Sequence, residues 1–582
     1  MKKIKKISRF WVFYISIFVF FAMCCVKLFS LQVISHKDIK STVNSQLYLS
    51  AYDPAPRGDI TDRNGTVLAG NRQGYIILVN KRDDESTHIT VTNLAKITNT
   101  DLSQLKALMK EHQFSKNNPF IFSEDADFEL VTKIKESPEK FPCIDILCQP
   151  VRKYFYPETA VHLIGRCGLI SKEEYEKNPE YQKTDYIGKQ GAEKAFESYL
   201  KGTAGSRATE KSVRGKVRTF TESVPPVKGK TVALTIDLPL QTKVEEALDN
   251  TVKSISGATG GAVVITDVNS GEVLALSSNP AYNIDEFNKN YTALSKNKNK
   301  PFFNRSISGL YEPGSTFKPI VAIAAMRCKN LLPEEKITTR GEYRYYDRVF
   351  RCNIFRQTGK SHGRINVSEA LGVSCNYFFY ELGHRTGIEE IAKCASDFML
   401  GQPSGIELKT EESIGKIASP HNRATHWYAG DTLQAAIGQS DNRFTPIALA
   451  NYAAAIANGG SVYSAHVLKS VDGNETKPEI LNTVYMENEA LDEVRRGMLY
   501  VTKQGTAKEI FKDFPVDVAG KTGSAQVLKS TNGLFIGYAP YNNPKIAFCA
   551  VIEGGGSGNA AASTIKEILS FYFKKDKKGQ TP

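Results

Sequence analysis

From Phe10 to Val26 the chain is an uninterrupted run of apolar and small residues, and past Lys27 the stretch Leu28-Phe29-Ser30-Leu31 extends it. That length matches the ~20 residues that span a bilayer as a helix. Lys2, Lys3, Lys5, Lys6 and Arg9 crowd its N-terminal side. Basic residues stay on the cytoplasmic side, which places a short tail, 1–9, in the cytoplasm and the remaining chain outside. The run is long for a signal-peptide core and no clean Ala-x-Ala site follows, so the pattern predicts a single-pass anchor over 10–31. No second apolar run of that length occurs.

Beyond the anchor the pattern is that of a folded chain. Ser35–Ser50 is mostly polar and predicts a short helix or stalk. Asn64-Gly65 between short apolar runs predicts a hairpin turn. Leu94, Ile97, Leu102, Leu105 and Leu108 predict a helix over Asn93–His112. Phe155-Tyr156-Pro157 and Leu163-Ile164-Gly165 read as strand or turn elements, and Gly188–Lys194 leads into a helix ending near Leu200. A composition change at Val224–Lys230 sets a domain boundary. After it, Thr231–Ile236 alternates as a strand and Asp237–Leu248 reads as a helix. Gly260–Asp267 and Glu272–Leu276 form a hairpin across Asn269-Ser270-Gly271. The Tyr/Arg-rich segment Arg340–Gly363 reads as surface loop. Helices are predicted at Thr445–Asn458, stopped by Gly459-Gly460, and at Glu487–Thr502. A strand around Val518–Ala525 is expected to pair with Gly533–Tyr538 and Ile546–Ile552, and Lys574–Lys578 reads as a solvated tail.

Composition adds little to this picture. The chain has 582 residues, 41% hydrophobic and 24% charged, which fits more than one globular domain and excludes wholesale disorder. The net charge of +13 comes with no nucleic-acid motif and widely spread lysines, so it reads as a solvated basic surface. Of ten cysteines, Cys24 and Cys25 lie in the anchor. Cys143, Cys148, His162 and Cys167 have spacings that zinc accepts, but no tight Cys-x-x-Cys pair occurs. No metal or cofactor is expected. A Cys143–Cys148 disulfide depends on the redox habitat.

Chemistry concentrates in three short motifs. Pro313-Gly314 breaks the chain before Ser315-Thr316-Phe317-Lys318, and a small-residue apolar helix, Val321–Met326, follows Pro319. Proline is tolerated only near a helix start, so Ser315 and Lys318 belong in or just before the first turn, on one face. A hydroxyl beside an amine there is a nucleophile with its base. Ser374-Cys375-Asn376 sits between two helical stretches, and Lys521-Thr522-Gly523 lies on a strand. Each is weak alone. In this order and context the three are specific.

Together they resemble a class B, monofunctional penicillin-binding protein, a peptidoglycan D,D-transpeptidase. The likeness runs nearly the whole length. Asn304-Arg305, Gly438-Gln439 and Thr445-Pro446 fit the catalytic half. Arg57-Gly58-Asp59-Ile60 with Asp62-Arg63-Asn64-Gly65, Tyr156-Pro157 with His162 and Gly165, and Gly191-Ala192-Glu193-Lys194 resemble three class B motifs of the other half. Ser524 stands where the family more often has Thr, and the hydroxyl survives.

The resemblance implies an α+β multidomain chain: the anchor, an elongated mixed α/β pedestal or dimerisation-type domain over 32–230, a transpeptidase domain with a central antiparallel sheet covered by helices over 231–573, and a basic tail, 574–582. It implies that Ser315 attacks the carbonyl between the two terminal D-Ala residues of a stem peptide, with Lys318 as its base. Burial and the like charge of Lys521 are expected to lower the Lys318 pKa. Ser374 relays a proton, Asn376 binds the substrate amide, and Thr522 and Ser524 hold the terminal carboxylate. Gly523 lets the substrate backbone approach, and the N–H groups of Ser315 and Ser524 form the oxyanion hole. Implied partners are peptidoglycan stem peptides, β-lactams and a SEDS-type glycan polymerase. A β-lactam-hydrolysing or sensing relative and a non-catalytic wall-synthesis scaffold are the alternatives. A Ser-His-Asp hydrolase is disfavoured, because no Gly-x-Ser-x-Gly elbow occurs. Glu553–Asn559 reads as a loop after a strand rather than a phosphate loop.

Overall fold

The computed structural model describes residues 9–30, 48–115, 119–182, 184–211, 217–527 and 530–578. The chain clusters into two compact units. One comprises Met1–Pro56, Gln73–Val151 and Gly202–Gly229, the other Arg57–Arg72, Arg152–Lys201 and Lys230–Pro582. Two stretches that precede the composition change, 57–72 and 152–201, thus pack with the C-terminal part.

In the first unit, Arg9–Phe29 is a 21-residue helix with no acidic residue in its first turn. Among the described residues no helix is long and apolar enough to cross a membrane. Tyr48–Asp53 pairs with Gly205–Lys211, which pairs with Val217–Val224. The helix or stalk expected over Ser35–Ser50 therefore ends in a strand, and 35–47 lie outside the described residues.

The single helix expected over Asn93–His112 is two, Asp84–Ile97 and Leu102–Glu111. Asn99 adopts a left-handed φ of 51°, and Asp101 caps the second helix by accepting from Ser103 N. Both devices end one helix and start another. Val91, Leu94, Leu105 and Met109 then share a core with Ile77, Val79 and Phe120.

In the second unit the Asn64-Gly65 turn joins Ile60 to Ala69 across an antiparallel pair. The helix expected up to Leu200 comes as two turns, Gly191–Ala195 and Glu197–Leu200. Leu163 and Ile164 lie in a short helix, Val161–Ile164.

The catalytic part of this unit contains α1 (Leu238–Ser254), β1 (Gly260–Asp267), β2 (Val273–Asn279), α2 (Lys318–Arg327), α3 (Val367–Gly372) and α4 (Asn376–Thr386). It continues with α5 (Pro446–Asn458), α6 (Asn488–Lys503), β3 (Ala519–Val527), β4 (Ser530–Ala539), β5 (Ile546–Glu553) and α7 (Gly558–Lys578). The strands form one antiparallel sheet in the order β2-β1-β5-β4-β3. Among the described residues the strand carrying Lys521 therefore pairs with β4 alone, and β5 lies one strand further in.

Successive side chains alternate faces, so a sheet buried on both sides needs continuous apolar strands. Val263, Phe535, Phe548 and Ala550 pack on one face with Val244, Leu248, Ile565 and Leu569 of α1 and α7. Val264, Ile536, Cys549 and Val551 pack on the other with α2 and α5. All are fully or almost fully buried.

One further expectation is corrected. Arg340–Gly363 is not loop: Glu342–Tyr345 and Arg348–Arg351 form a hairpin, and Asn353–Thr358 a helix. Tyr343 and Phe350 face each other across the hairpin and are both buried, which gives it an apolar side to pack. Lys574–Lys578, read as a solvated tail, lies in the last turns of α7.

Candidate active site

Pro313-Gly314 turns the chain into a 3-10 helix, Gly314–Phe317, which runs directly into α2. Pro319 occupies the permitted N-terminal position of α2. In a 3-10 turn, residues three apart eclipse one another. Ser315 and Lys318 thus line up on one side of the turn. The turn is fixed from several directions. Thr316 Oγ1 donates to Pro313 O at 2.7 Å, Tyr452 OH to Thr316 O at 2.8 Å, and Gly314 N to Gly438 O at 2.9 Å. Upstream, Tyr311 OH donates to Glu553 at 2.9 Å, and Arg305 pairs with the same carboxylate at 3.0 Å.

The second motif sits where α3 ends and α4 begins, and Ser374 holds a left-handed φ of 54°. That conformation is uncommon for a residue with a Cβ and gathers at functional sites. Nothing in the sequence announced it. Lys318 Nζ reaches across to donate to Ser374 O at 2.9 Å and Asn376 Oδ1 at 2.7 Å, and lies 3.2 Å from Ser374 Oγ. Lys521 Nζ approaches the same hydroxyl from β3, at 3.0 Å, and donates to Thr522 O at 3.1 Å. Ser374 Oγ is therefore a bridge between two lysines.

Both lysines are fully buried. Burial pushes Lys318 down to about 8. It pushes Lys521 well below its ordinary value, with the Lys318 charge adding to the effect. The expected lowering of Lys318 thus comes from burial, and the like-charge repulsion registers on Lys521. A neutral Lys318 has two N–H bonds, which the Ser374 carbonyl and Asn376 take, and one lone pair left for a hydroxyl proton.

The third motif lies against the catalytic turn. A Cβ on Gly523 would stand 2.7 Å from Pro313 O and 2.8 Å from Thr316 Cγ2. The catalytic turn occupies that side of Gly523. Ser524 Oγ accepts from Gly558 N, at the start of α7, at 3.3 Å. Its own proton remains to be donated. Thr522 is almost buried and its Oγ1 lies 2.7 Å from Thr506 Oγ1. All eight expected residues, Ser315, Lys318, Ser374, Asn376, Lys521, Thr522, Gly523 and Ser524, belong to the same unit. Ser315 itself is half-buried, and among the described residues its hydroxyl makes no hydrogen bond.

Sequence reasoning passed over what lies behind the second motif. Cys352 Sγ is 4.0 Å from Cys375 Sγ, lies 3.8 Å from His362 Nδ1, and accepts from Asn376 N at 3.3 Å. Among the described residues these three side chains form the one group whose donor atoms, all within 4.8 Å, could hold a metal ion. Two thiols and an imidazole are donors of the kind zinc takes. The segment read as surface loop supplies two of them, and spacing gave no signal. Cys375 is no nucleophile: the hydrogen bond with Cys352 and burial both hold its thiol far above the thiolate range.

Two of the earlier zinc candidates, His162 and Cys167, have other partners. His162 Nε2 lies 2.7 Å from Pro301 O, and its pKa is lowered to about 4 by burial. Cys167 Sγ donates to Glu193 at 3.2 Å. Cys143 and Cys148 are both free thiols.

Residues 261–570, more than half of the chain, match the penicillin-binding protein transpeptidase domain, and 52–234 match the penicillin-binding protein dimerisation domain. The peptidoglycan D,D-transpeptidase MrdA of Haemophilus influenzae is 28% identical, over 97% of this chain and 92% of its own. Among solved structures, the penicillin-binding protein PBP2 of Helicobacter pylori, in complex with MreC, shares the fold with a TM-score of 0.80 at 22% identity, over 91% of this chain and 99% of that one. A chain of a peptidoglycan synthase complex, solved for its coordination of polymerization and crosslinking, aligns with a TM-score of 0.73 at 25% identity, over 97% and 98%.

Proposed function

The chain belongs to the penicillin-binding protein transpeptidases, and from that premise we propose that it is a peptidoglycan D,D-transpeptidase working through an acyl-enzyme on Ser315. The observation that carries this reading is the placement of Ser374 Oγ between two buried lysines, 3.2 Å from Lys318 and 3.0 Å from Lys521, beside the turn that presents Ser315.

The chemistry follows from the geometry. Ser315 Oγ attacks the carbonyl carbon of the penultimate D-Ala of a stem peptide. Its proton goes to the free lone pair of Lys318. The negative oxygen that forms is held by the backbone N–H groups of Ser315 and Ser524, each worth about 3–4 kcal/mol in comparable acyl transfers. The C–N bond then breaks, and the terminal D-Ala leaves with a proton passed from Lys318 through Ser374 Oγ. The acceptor amine of a second stem peptide attacks the ester and gives up its proton along the same path. Ser315 is regenerated and the cross-link is made. Asn376, whose Oδ1 is committed to Lys318, offers Nδ2 to the substrate amide. Lys521, Thr522 and Ser524 receive the substrate carboxylate, and the Gly523 backbone lines that seat.

Penicillin presents a reactive amide and a carboxylate to the same groups and acylates Ser315. We keep 231–573 as the catalytic domain and 32–230 as the pedestal, supported by the two domain matches. The reading also takes 10–31 as a membrane anchor with 1–9 cytoplasmic and the catalytic unit extracytoplasmic. Its support is the 21-residue helix Arg9–Phe29, about 30 Å long at 1.5 Å per residue, with Phe13, Phe18, Phe20 and Phe21 exposed. A SEDS-type glycan polymerase is the membrane partner proposed for it.

Fluorescent penicillin tests the reading on the purified protein. A stable label that Ser315→Ala abolishes is the expected result. Rapid loss of the label would favour a β-lactam hydrolase, and no label on the intact chain a scaffold. Stable labelling of Ser315→Ala would overturn the assignment.

A further inference from the structure

Thr506 stands in the turn between α6 and a short helix, Lys508–Phe511, that precedes β3. The residue is exposed, and its hydroxyl lies 2.7 Å from that of Thr522, where either oxygen can be the donor. The turn is held in place. Thr506 N donates to Gly372 O at 3.2 Å, and a Cβ on Gly505 would fall on the same carbonyl. Gly372 is the last residue of α3, two positions before Ser374. Thr506 is thus fixed to both the second and the third motif, though it belongs to neither.

The direction of the Thr506–Thr522 bond follows from what Thr522 must do. A carboxylate only accepts hydrogen bonds, so a Thr522 hydroxyl that holds one has to spend its proton on it. Thr522 Oγ1 can then meet Thr506 only as an acceptor, and the Thr506 hydroxyl is the donor. Two hydroxyls in series polarise each other, which strengthens the outer bond. Ser524 is served in the same way from the other side: its oxygen accepts from Gly558 N, leaving its proton free to be donated. With a carboxylate in the seat, both hydroxyls therefore have an outer donor, Thr506 for Thr522 and Gly558 N for Ser524.

We propose that Thr506 is a positioning residue of the carboxylate seat, donating to Thr522 so that Thr522 donates to the terminal carboxylate of the stem peptide or of penicillin. The inference rests on the reading above that Thr522 and Ser524 hold that carboxylate.

The test uses the full-length protein in detergent with two probes, penicillin as the free acid and as its methyl ester, and follows acylation against probe concentration. Thr506→Val should raise the half-saturating concentration of the acid about five- to tenfold with little change in the limiting acylation rate. Thr506→Ser should restore it. The ester should respond equally in wild type and Thr506→Val, and the three proteins should melt together. A Thr506→Val protein that handles the acid like wild type, or loses acid and ester alike, overturns the proposal. Thr522→Val separates the layers. If it discriminates acid from ester while Thr506→Val does not, the inference alone falls. If it loses both probes equally, the carboxylate seat falls and the inference with it.

Discussion

Lys318 illustrates how one burial sets a mechanism. An ammonium removed from water loses hydration that a carbonyl and an amide oxygen replace only in part, and its pKa falls to about 8. The neutral form is the base, so the sign is fixed. Acylation by penicillin should be slow below pH 7 and rise through about 8 to a plateau, as protons leave Lys318. A rate that stays flat from pH 6 to 10 would remove Lys318 from the role of base. Lys318→Ala should cost about 10²–10⁴ in acylation rate at pH 8, the usual worth of general base catalysis. Ser374 matters for the same step, because it is the one hydroxyl within reach of both lysines among the described residues.

At the scale of elements, the catalytic turn depends on a second turn packed under it. Gly438 has a φ of 76°, and a Cβ there would fall on the Gly314 carbonyl oxygen. Gly459, which ends α5, has a φ of 98° but nothing within 4 Å of its would-be Cβ. The two glycines separate backbone strain from steric displacement. Gly459→Ala should lose roughly 1–2 kcal/mol of stability and keep normal acylation. Gly438→Ala carries the same strain but also pushes the Ser315 turn, and acylation should fall at least about tenfold. That is about 1.4 kcal/mol on the barrier. Equal acylation by the two variants, measured with penicillin, would show that the turn does not rest on Gly438.

The same scale explains what the sequence disclosed. Ser315 with Lys318 and Ser374 with Asn376 are local pairs on single turns, so their spacing carries the signal. The apolar strands and the Thr445–Asn458 helix are equally local, being written in periodicity and caps. Contacts between distant stretches carry no such mark. Thr506 reaches Thr522 and Gly558 reaches Ser524 only because the sheet brings them there. Cys352 sits behind Asn376 because a hairpin read as loop folds. The helix over 93–112 was misread because its apolar period continues through Ile97 and Leu102, while Asn99 and Asp101 break the backbone between them.

At the scale of the whole molecule, the class B motifs outside the catalytic half acquire a physical task. Arg57, Arg152 and the pair Glu193 and Glu197 come from three separate stretches of chain, and all belong to the second unit. Glu193 is fully buried, 2.8 Å from Arg57 and 2.6 Å from Arg152, and Arg57 also meets Glu197 at 2.9 Å. Burial alone would raise the Glu193 pKa, but the Arg152 and Arg57 guanidiniums outweigh it and hold the carboxylate below its ordinary value. A carboxylate whose pKa is lowered by folding stabilises the native state above its unfolded pKa, about 4.3, and the contribution is lost as pH falls through the native value. Removing the carboxylate leaves the Arg152 guanidinium buried without its ion-pair partner and Arg57 with Glu197 alone, a loss of about 3–5 kcal/mol. Glu193→Gln should therefore unfold at markedly lower urea concentration at pH 7, and its stability should decline less steeply below pH 4 than that of wild type. Glu197→Gln, at a site nearer solvent, should cost less. Penicillin labelling read across the urea series connects this cluster to the active site. If label and fluorescence are lost together in Glu193→Gln, at a concentration where wild type is still labelled, the cluster holds the catalytic unit itself together. Wild-type urea resistance and an unchanged acid slope in Glu193→Gln would deny it that task.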